Sequence, residues 1–256
     1  MTLEVIKNIL KDFEPVSLDE MDGKKLMNRM DMKFVFPQPQ LTTILADLKD
    51  DYQVLEVDGN RISRYESLYF DTPDFDLYHQ HQRGKLNRHK IRYRKYVESD
   101  LNFFEIKFKS NKNRTIKDRV RDEKIQNAIR DKAEKLLGES TDLRPEDLEP
   151  KVWVNFSRIT LVNKHSAERT TIDLNLQFHR NGENSFVENL VIAEVKQEST
   201  GRSPFIRLMK KRHIRPGSLS KYCYGVISLF ADMKQNNFKR NLRKINKVIY
   251  GTPASA

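Results

Sequence analysis

Lysines and arginines recur at every second position along several extended segments of this chain, and that spacing has chemical consequences. In a strand, residues i and i+2 point to the same face. Arg92-Tyr93-Arg94 therefore sends both arginines one way and Tyr93 the other. Glu105-Ile106-Lys107-Phe108-Lys109 does the same for one acid and two bases, with Phe104, Ile106 and Phe108 opposite. Phe156 and Arg158 share a face, as do Arg169, Thr171 and Asp173, and so do Glu194 and Lys196. A half-buried sheet with one solvated side gives the same alternation on any single strand. Two features depart from that reading. Bases, notably arginine, dominate the charged faces, and the opposite faces are apolar enough to pack outward against helices. If the sheet curls shut, the charged faces line a barrel. Like charges inside it are tolerable only if a polyanion, or a metal-bound polyanion, offsets them. Arginine suits phosphate because its planar fork holds two oxygens at once.

The elements that must carry these residues follow from periodicity. Residues 1–30 read as two short helices, with Ser17 and Glu20 forming a capping-box pattern. The stretch 31–36 is extended and stops at Pro37, and 41–48 is helical. Strands are expected at 61–70, 86–96 and 102–109, the last two joined by a turn at 98–100. A helix is expected over 124–137, closed by Gly138. Strands at 152–161, 170–178 and 186–196 follow, with Asn181-Gly182 as a hairpin signal between the last two. Helices at 204–213, 219–233 and 237–249 end the chain. Strands in the body and helices at the ends make the class α+β.

The chain has 256 residues and a formal net charge of +11, which points to a polyanionic partner. The lack of repeats or linker tracts favours one domain over 1–256, with N-terminal helices to 30, a core over about 31–225 and C-terminal helices to about 249. One cysteine, Cys223, excludes an internal disulfide. No apolar run approaches the ~20 residues of a membrane span, and the opening residues lack a signal-peptide pattern. The expected location is cytoplasmic.

Arg29-Met-Asp31-Met-Lys33, Ser67-Leu-Tyr-Phe-Asp71-Thr-Pro, Lys90-Ile-Arg92-Tyr-Arg94 and Phe104-Glu-Ile-Lys107 stand in the first half of the chain. Phe156-Ser-Arg158, Arg169-Thr-Thr-Ile-Asp173, Ala193-Glu194-Val-Lys196 and Ser220-Lys221-Tyr222 follow. Together, in this order, they resemble the VTC domain, the catalytic part of the vacuolar transporter chaperone polyphosphate polymerases. That family is among the CYTH-like triphosphate tunnel enzymes. The resemblance implies an antiparallel β-barrel tunnel with flanking helices. It also implies transfer of the ATP γ-phosphate to a growing polyphosphate chain, with Mn²⁺ or Mg²⁺ as cofactor and ATP and inorganic polyphosphate as partners. Lys33, Arg92, Arg94, Lys107, Arg158, Arg169, Lys196 and Lys221 match the family's phosphate-contacting positions. Glu194 matches its metal glutamate, and Ser220 a tunnel hydroxyl. Lys109, Lys117 and Arg119 are additional contacts at one mouth.

Two departures bear on chemistry. Hydrolytic tunnel enzymes open with Glu-x-Glu-x-Lys, where this chain has Arg29 in place of the first acid, which leans toward the polymerase branch. The family's tyrosine before the late arginine is here Phe156, so a hydroxyl is lost. A triphosphatase remains the alternative, since Asp31, Glu105, Asp173, Glu194 and Glu198 are acids enough for metal-bound water. A non-catalytic binder of polyphosphate or nucleic acid is the third reading, resting on the basic clusters at 210–213 and 239–247. No RNA-stacking motif or zinc-finger spacing accompanies them. His79-Gln-His81 reads as a polar turn, Cys223 as a buried inert thiol and Trp153 as core. No glycine-rich loop is present to hold ATP in P-loop fashion.

Overall fold

The alternating segments become strands of one sheet. The computed structural model describes residues 2–23, 29–112, 114–198, 202–217 and 219–251. The side chains of Arg29 and Glu198 lie outside the described residues, as does the end of the first predicted helical stretch, 24–28. The chain runs α1 (Leu3–Leu10), β1 (Pro15–Val16), α2 (Leu18–Gly23), β2 (Arg29–Pro37), α3 (Leu41–Leu48), β3 (Tyr52–Leu55), β4 (Ser63–Asp71) and α4 (Asp76–Gln82). It continues through β5 (Arg88–Tyr96), β6 (Leu101–Lys109), β7 (Thr115–Asp122), α5 (Asp131–Ser140), β8 (Glu149–Asn163), β9 (Glu168–Arg180), β10 (Glu183–Val187) and β11 (Leu190–Glu198). Three helices close it: α6 (Pro204–Lys211), α7 (Lys221–Leu229) and α8 (Lys239–Tyr250).

The strand order is β2-β11-β9-β8-β4-β5-β6-β7, with β10 on β9, β3 on β8 and β1 on β3. Neighbours along that path are antiparallel; β1 and β3 pair in parallel. The antiparallel sheet with flanking helices is the expected architecture. Its ladder stays open rather than closing as a strict barrel, because β2 and β7 are the ends of the path. β7 suits an edge: its sequence, Thr-Ile-Lys-Asp-Arg-Val-Arg-Asp, is charged and largely exposed, which discourages pairing with another chain.

Side-chain parity sorts the sheet into an outer and an inner face. On the outer face, Phe34, Phe36, Val191, Ala193, Ile159 and Ile172 pack with α1, α3 and α6 through Ile6, Leu41, Leu45 and Phe205. Leu68, Phe70, Ile91, Tyr93, Phe104 and Ile106 pack with Ala133 and Leu137 of α5. The terminal helices do not all cover outer faces, as the sequence suggested. Tyr222, Cys223 and Val226 of α7 instead meet Tyr69, Val154, Phe156 and Phe178 on the inner face, so α7 enters the curl of the sheet. Gly225 permits that approach, since a Cβ there would sit 2.6 Å from the Phe178 ring. A bulge re-aims β9: Asn175 takes φ 54°, and the β8–β9 register shifts between Asn155 and Ser157. Asp173 on one side of it and Leu176 and Phe178 on the other thereby share the inner face.

Other expectations are corrected locally. The helix expected over 124–137 is confined to α5, and Gly138 lies inside it. Ile125 and Ile129 serve as anchors that lead the chain from β7 onto the outer face. Thr141, extended, ends α5, its amide and hydroxyl both donating to the Leu137 carbonyl at 2.9 and 3.0 Å. The strand expected at 186–196 is two, β10 and β11. Asn181 and Gly182, both at positive φ, form the two-residue turn between β9 and β10. The segment holding His79 and His81 is helical, in α4, rather than a turn. Trp153 is only partly buried, stacked on His179 at 5.5 Å. The Ser17 capping box forms as expected, with Ser17 N to Glu20 Oε2 at 2.8 Å and Glu20 N to Ser17 Oγ at 3.3 Å. No helix among the described residues is long and apolar enough to cross a membrane.

Candidate functional site

The inner face beyond α7 is charged, and its charges come from β2, β5, β6, β7, β8, β9, β11 and the first turn of α7. On one wall, Arg92 donates from Nε and Nη2 to Glu105 Oε2 at 2.8 and 2.6 Å, and from Nη1 to the Tyr69 hydroxyl at 2.7 Å. Lys117 reaches across from β7 to ion-pair with Glu105 Oε1. On the facing wall, Arg158 holds Asp173 bidentately, Nε to Oδ1 at 2.6 Å and Nη2 to Oδ2 at 2.9 Å. Lys221, the first residue of α7, ion-pairs with the same carboxylate. Burial alone would raise both acids. The guanidinium and ammonium neighbours outweigh it and hold Glu105 and Asp173 well below the usual carboxylate range.

Arg94 lies deep in the site, donating from Nε to Ser67 Oγ at 3.1 Å, with its guanidinium 5.3 Å from the Tyr65 ring and 5.7 Å from that of Phe156. The Phe156 ring stacks on Tyr65 at 5.1 Å and supports Lys221 Nζ at 4.6 Å. Ser220 caps α7 by accepting from Cys223 N at 3.4 Å and takes a bond from Lys90 Nζ at 3.0 Å.

The amines gather at a third corner. Tyr69, Lys90, Arg92, Glu105, Lys107 and Lys117 line a small, partly open pocket. Enclosure by the walls, then the charges of Lys33 and Lys90, lower the Lys107 ammonium to about 7, with Glu194 acting in the opposite sense. The Lys107 side chain is nonetheless open to water in the lumen, so the enclosure is that of a wetted channel. Lys107 on β6 and Glu194 on β11 feel one another although four strands lie between theirs along the ladder. That coupling is how the curl of the sheet brings its two halves together. Glu194 stands 3.9 Å from Lys33. Burial acts to raise its carboxyl, but Lys33, Lys196, Lys107 and Arg158 outweigh that and lower it to about 2.

Four further residues named from the sequence share the inner-face parity, and Lys196 is among the charges that lower Glu194. Lys196 faces Asp31 in the β11–β2 ladder, and Arg169 faces Lys196 in the β11–β9 ladder. Arg169 Nη2 donates to the Met21 carbonyl at 3.2 Å. Lys109 is at the last position of β6, opposite Thr115. Arg119 lies over the Phe103 ring at 4.7 Å.

The VTC domain family model matches residues 28–230. The chain belongs to the VTC domain family. Every motif read from Arg29 to Tyr222 falls inside that match. No protein of curated function matches the chain. Among solved structures, a candidate adenylate cyclase from Vibrio parahaemolyticus is similar at 12% identity, covering 77% of this chain and 99% of its own, with TM-score 0.46. A candidate adenylyl cyclase from Hippeastrum, described as having a dominant triphosphatase activity, overlays at 12% identity, 78% and 95% coverage and TM-score 0.48. These overlays are loose, and the assignment rests on the family match. VTC membership supports a function directed at polyphosphate or triphosphate.

A metal fits this VTC lumen in one way. Among the described residues no three His, Cys, Asp or Glu side chains gather as a ready-made cage. Magnesium-type ions are commonly held by one or two carboxylates together with substrate phosphates and water. Glu105 and Asp173 are each engaged by two cations, whereas Glu194 is 3.9 Å from Lys33 and ionised, so Glu194 is the carboxylate suited to that donor set.

Several residues of the site escape a reading of the sequence. Lys90 is two positions before Arg92 on β5, and the same i, i+2 rule that singles out Arg92 and Arg94 places it in the lumen. Tyr69, Ser67 and Tyr65 share one parity on β4, but as uncharged residues they give no signal against an ordinary sheet face. β7 is not recognisable as a strand, because its charges alternate signs and its apolar positions are only Ile116 and Val120. His81, lowered to about 2 by burial and then by Lys90 and Arg88, accepts from Arg88 Nε at Nδ1 (3.0 Å).

Proposed function

We propose that this VTC domain is an ATP:polyphosphate phosphotransferase, one tunnel unit spanning the whole chain, that lengthens inorganic polyphosphate inside its basic lumen. The observation that supports the reading is that Lys33, Lys90, Arg92, Arg94, Lys107, Arg158 and Lys221 lie on the inner side of one curled sheet, close enough to act on one another's charge. Such a collection suits a row of phosphates and little else. Phosphoryl transfer asks mainly for alignment and charge neutralisation. Arg92, Arg94 and Arg158 are held by acids, rings and a serine, so their forks are pre-set for phosphate oxygens. Lys33, Lys90 and Lys107 neutralise the charge that accumulates between donor and acceptor. A terminal oxygen of the acceptor chain attacks the γ-phosphorus of ATP, a new P–O bond forms, the bond to the β-bridging oxygen breaks, and ADP leaves with that oxygen. No side chain has to take a proton, because the attacking oxygen is already ionised. Bound Mn²⁺ or Mg²⁺ at Glu194 would add charge neutralisation on triphosphate oxygens.

Transfer to phosphate is favoured over hydrolysis by the state of the lumen acids. Glu105 and Asp173 are locked in ion pairs, which leaves them poorly placed to orient a water, and Arg29 stands where hydrolytic tunnel enzymes carry an acid. The deciding experiment is incubation of the pure protein with Mn²⁺ and ATP, followed by sizing of the products. A long polymer is expected. Release of orthophosphate alone would assign a triphosphatase, and binding without turnover would assign a polyphosphate-binding domain; either overturns the polymerase reading.

A further inference from the structure

The lumen is charged through its middle, yet one end of it is aromatic. Tyr96 ends β5, and Phe103 of β6 sits opposite Arg94 in the ladder, so both occupy lumen-side register positions. Their rings meet edge-on, centroids 5.8 Å apart at 86°, and Tyr96 also meets Tyr65 at 5.0 Å. The arginines account for Tyr65 and Phe156, which are buried and carry the guanidinium groups of Arg94 and Arg158 at 4.9–5.7 Å. Tyr96 and Phe103 are different, being only half-buried. Phe103 carries Arg119 at 4.7 Å, and Arg119 itself is exposed on the edge strand β7.

A phosphate chain gains nothing from such a surface, since it has no apolar face and the electron-rich side of a ring repels anions. A planar heteroaromatic gains stacking, and a guanidinium can lie over its free face or turn to a nearby phosphate. The spacing is suitable as well. Arg92 is four residues from Tyr96 on the same strand, about 13 Å at ~3.3 Å per residue, which is the scale of an extended nucleoside triphosphate. We propose that Tyr96, Phe103 and Arg119 form a docking plate for the nucleobase of a nucleoside triphosphate, whose phosphates run inward past Arg94 to Arg92. This deepens the phosphotransferase reading, on which it rests for the nature of the donor. Because stacking accepts any base, ATP and GTP bind with similar affinity.

The test is calorimetric binding of a non-hydrolysable ATP analogue and of tripolyphosphate to the whole protein, as wild type, Phe103→Leu and Tyr96→Leu. Urea midpoints report that each variant is folded. Loss of stacking is expected to weaken the analogue about tenfold in Phe103→Leu and to leave tripolyphosphate unchanged. If both ligands weaken together, or neither does, the plate is wrong. The two readings separate cleanly. Polymer made normally by both rim variants at limiting ATP removes the plate and keeps the phosphotransferase. Rim-dependent nucleotide binding by a wild type that makes no polymer does the reverse.

Discussion

Two corners of the same lumen solve the problem of crowded positive charge in opposite ways. Around Asp173 and Glu105 each acid is gripped by two cations, Arg158 with Lys221 and Arg92 with Lys117. At the amine corner Lys33, Lys90 and Lys107 face one another, with Glu194 at 3.9 Å from Lys33 as the nearby acid. The clamped corners are internally compensated, so they stay rigid with or without ligand. The amine corner is under-compensated, so like-charge repulsion there is relieved when an anion arrives. The difference teaches where rigidity and where binding free energy reside: the clamps position, and the amines respond.

The largest expected effect tests the clamps. Arg158→Met leaves Asp173, 4% exposed, facing Lys221 alone, and removing one partner of a buried pair costs about 3–5 kcal/mol. Lys107→Met removes a repelling charge that is open to water, and its effect on stability should lie within about 0.5 kcal/mol of zero. Urea unfolding of both variants checks the contrast. Equal losses would erase the distinction between the corners.

Next in size is the response to ligand. Tripolyphosphate at roughly 100 times its dissociation constant should raise unfolding free energy by about 2.7 kcal/mol, less at high salt. Paired Lys33→Met and Lys90→Met substitutions should remove most of this gain while sparing the stability of the free protein. A gain that survives the double substitution would move the anion site away from the amines.

Why some of this is legible in the sequence and some is not follows from the physics of each element. The alternation in β5, β6, β8 and β11 is readable because one face is apolar and the other basic, and period 2 leaves no freedom in which is which. β7 hides because an edge strand need not be apolar on either face. The entry of α7 into the lumen is hidden for the opposite reason: an apolar stripe at 222, 223 and 226 looks the same whether it packs outside a sheet or inside one. The bulge at Asn175 gives no signal, since asparagine at positive φ is common in turns. Arg158 can be placed on a face from the sequence, but its bidentate grip on Asp173 depends on that bulge and on ladder register. Lys90 is legible in principle from its spacing to Arg92.

Glu194→Gln separates metal from anion binding. Without added metal, removing a carboxylate from an anion site should tighten tripolyphosphate, roughly threefold through relief of like-charge repulsion. With Mn²⁺ present, the wild type should gain affinity and polymer synthesis, and the variant should gain neither. A variant that still responds to Mn²⁺ would mean that the ion is held elsewhere, and Glu194 would join Glu105 and Asp173 as a purely internal counter-charge.

The smallest effect is the pH dependence of the amine corner, and its sign differs between folding and binding. Enclosure and the neighbouring Lys33 and Lys90 lower the Lys107 ammonium to about 7 in the folded protein, below the ~10.4 of an unfolded lysine. Between those values the unfolded chain binds more protons, so the Lys107 contribution to stability falls as pH drops from about 10 to about 7 and is level below that. A bound phosphate chain reverses the local field and draws a proton onto the amine. Affinity should therefore weaken as pH rises through about 7, while stability of the free protein improves. The groups that set this balance come from every facing wall: Lys33, Lys90 and Arg92 against protonation, Glu194 for it. Proton uptake on binding tripolyphosphate, measured in two buffers of different ionisation enthalpy, should be positive near pH 8 and should shrink in Lys107→Arg, which stays charged throughout. Equal uptake in both proteins would assign the proton to the ligand itself and remove Lys107 as the responsive element of its corner.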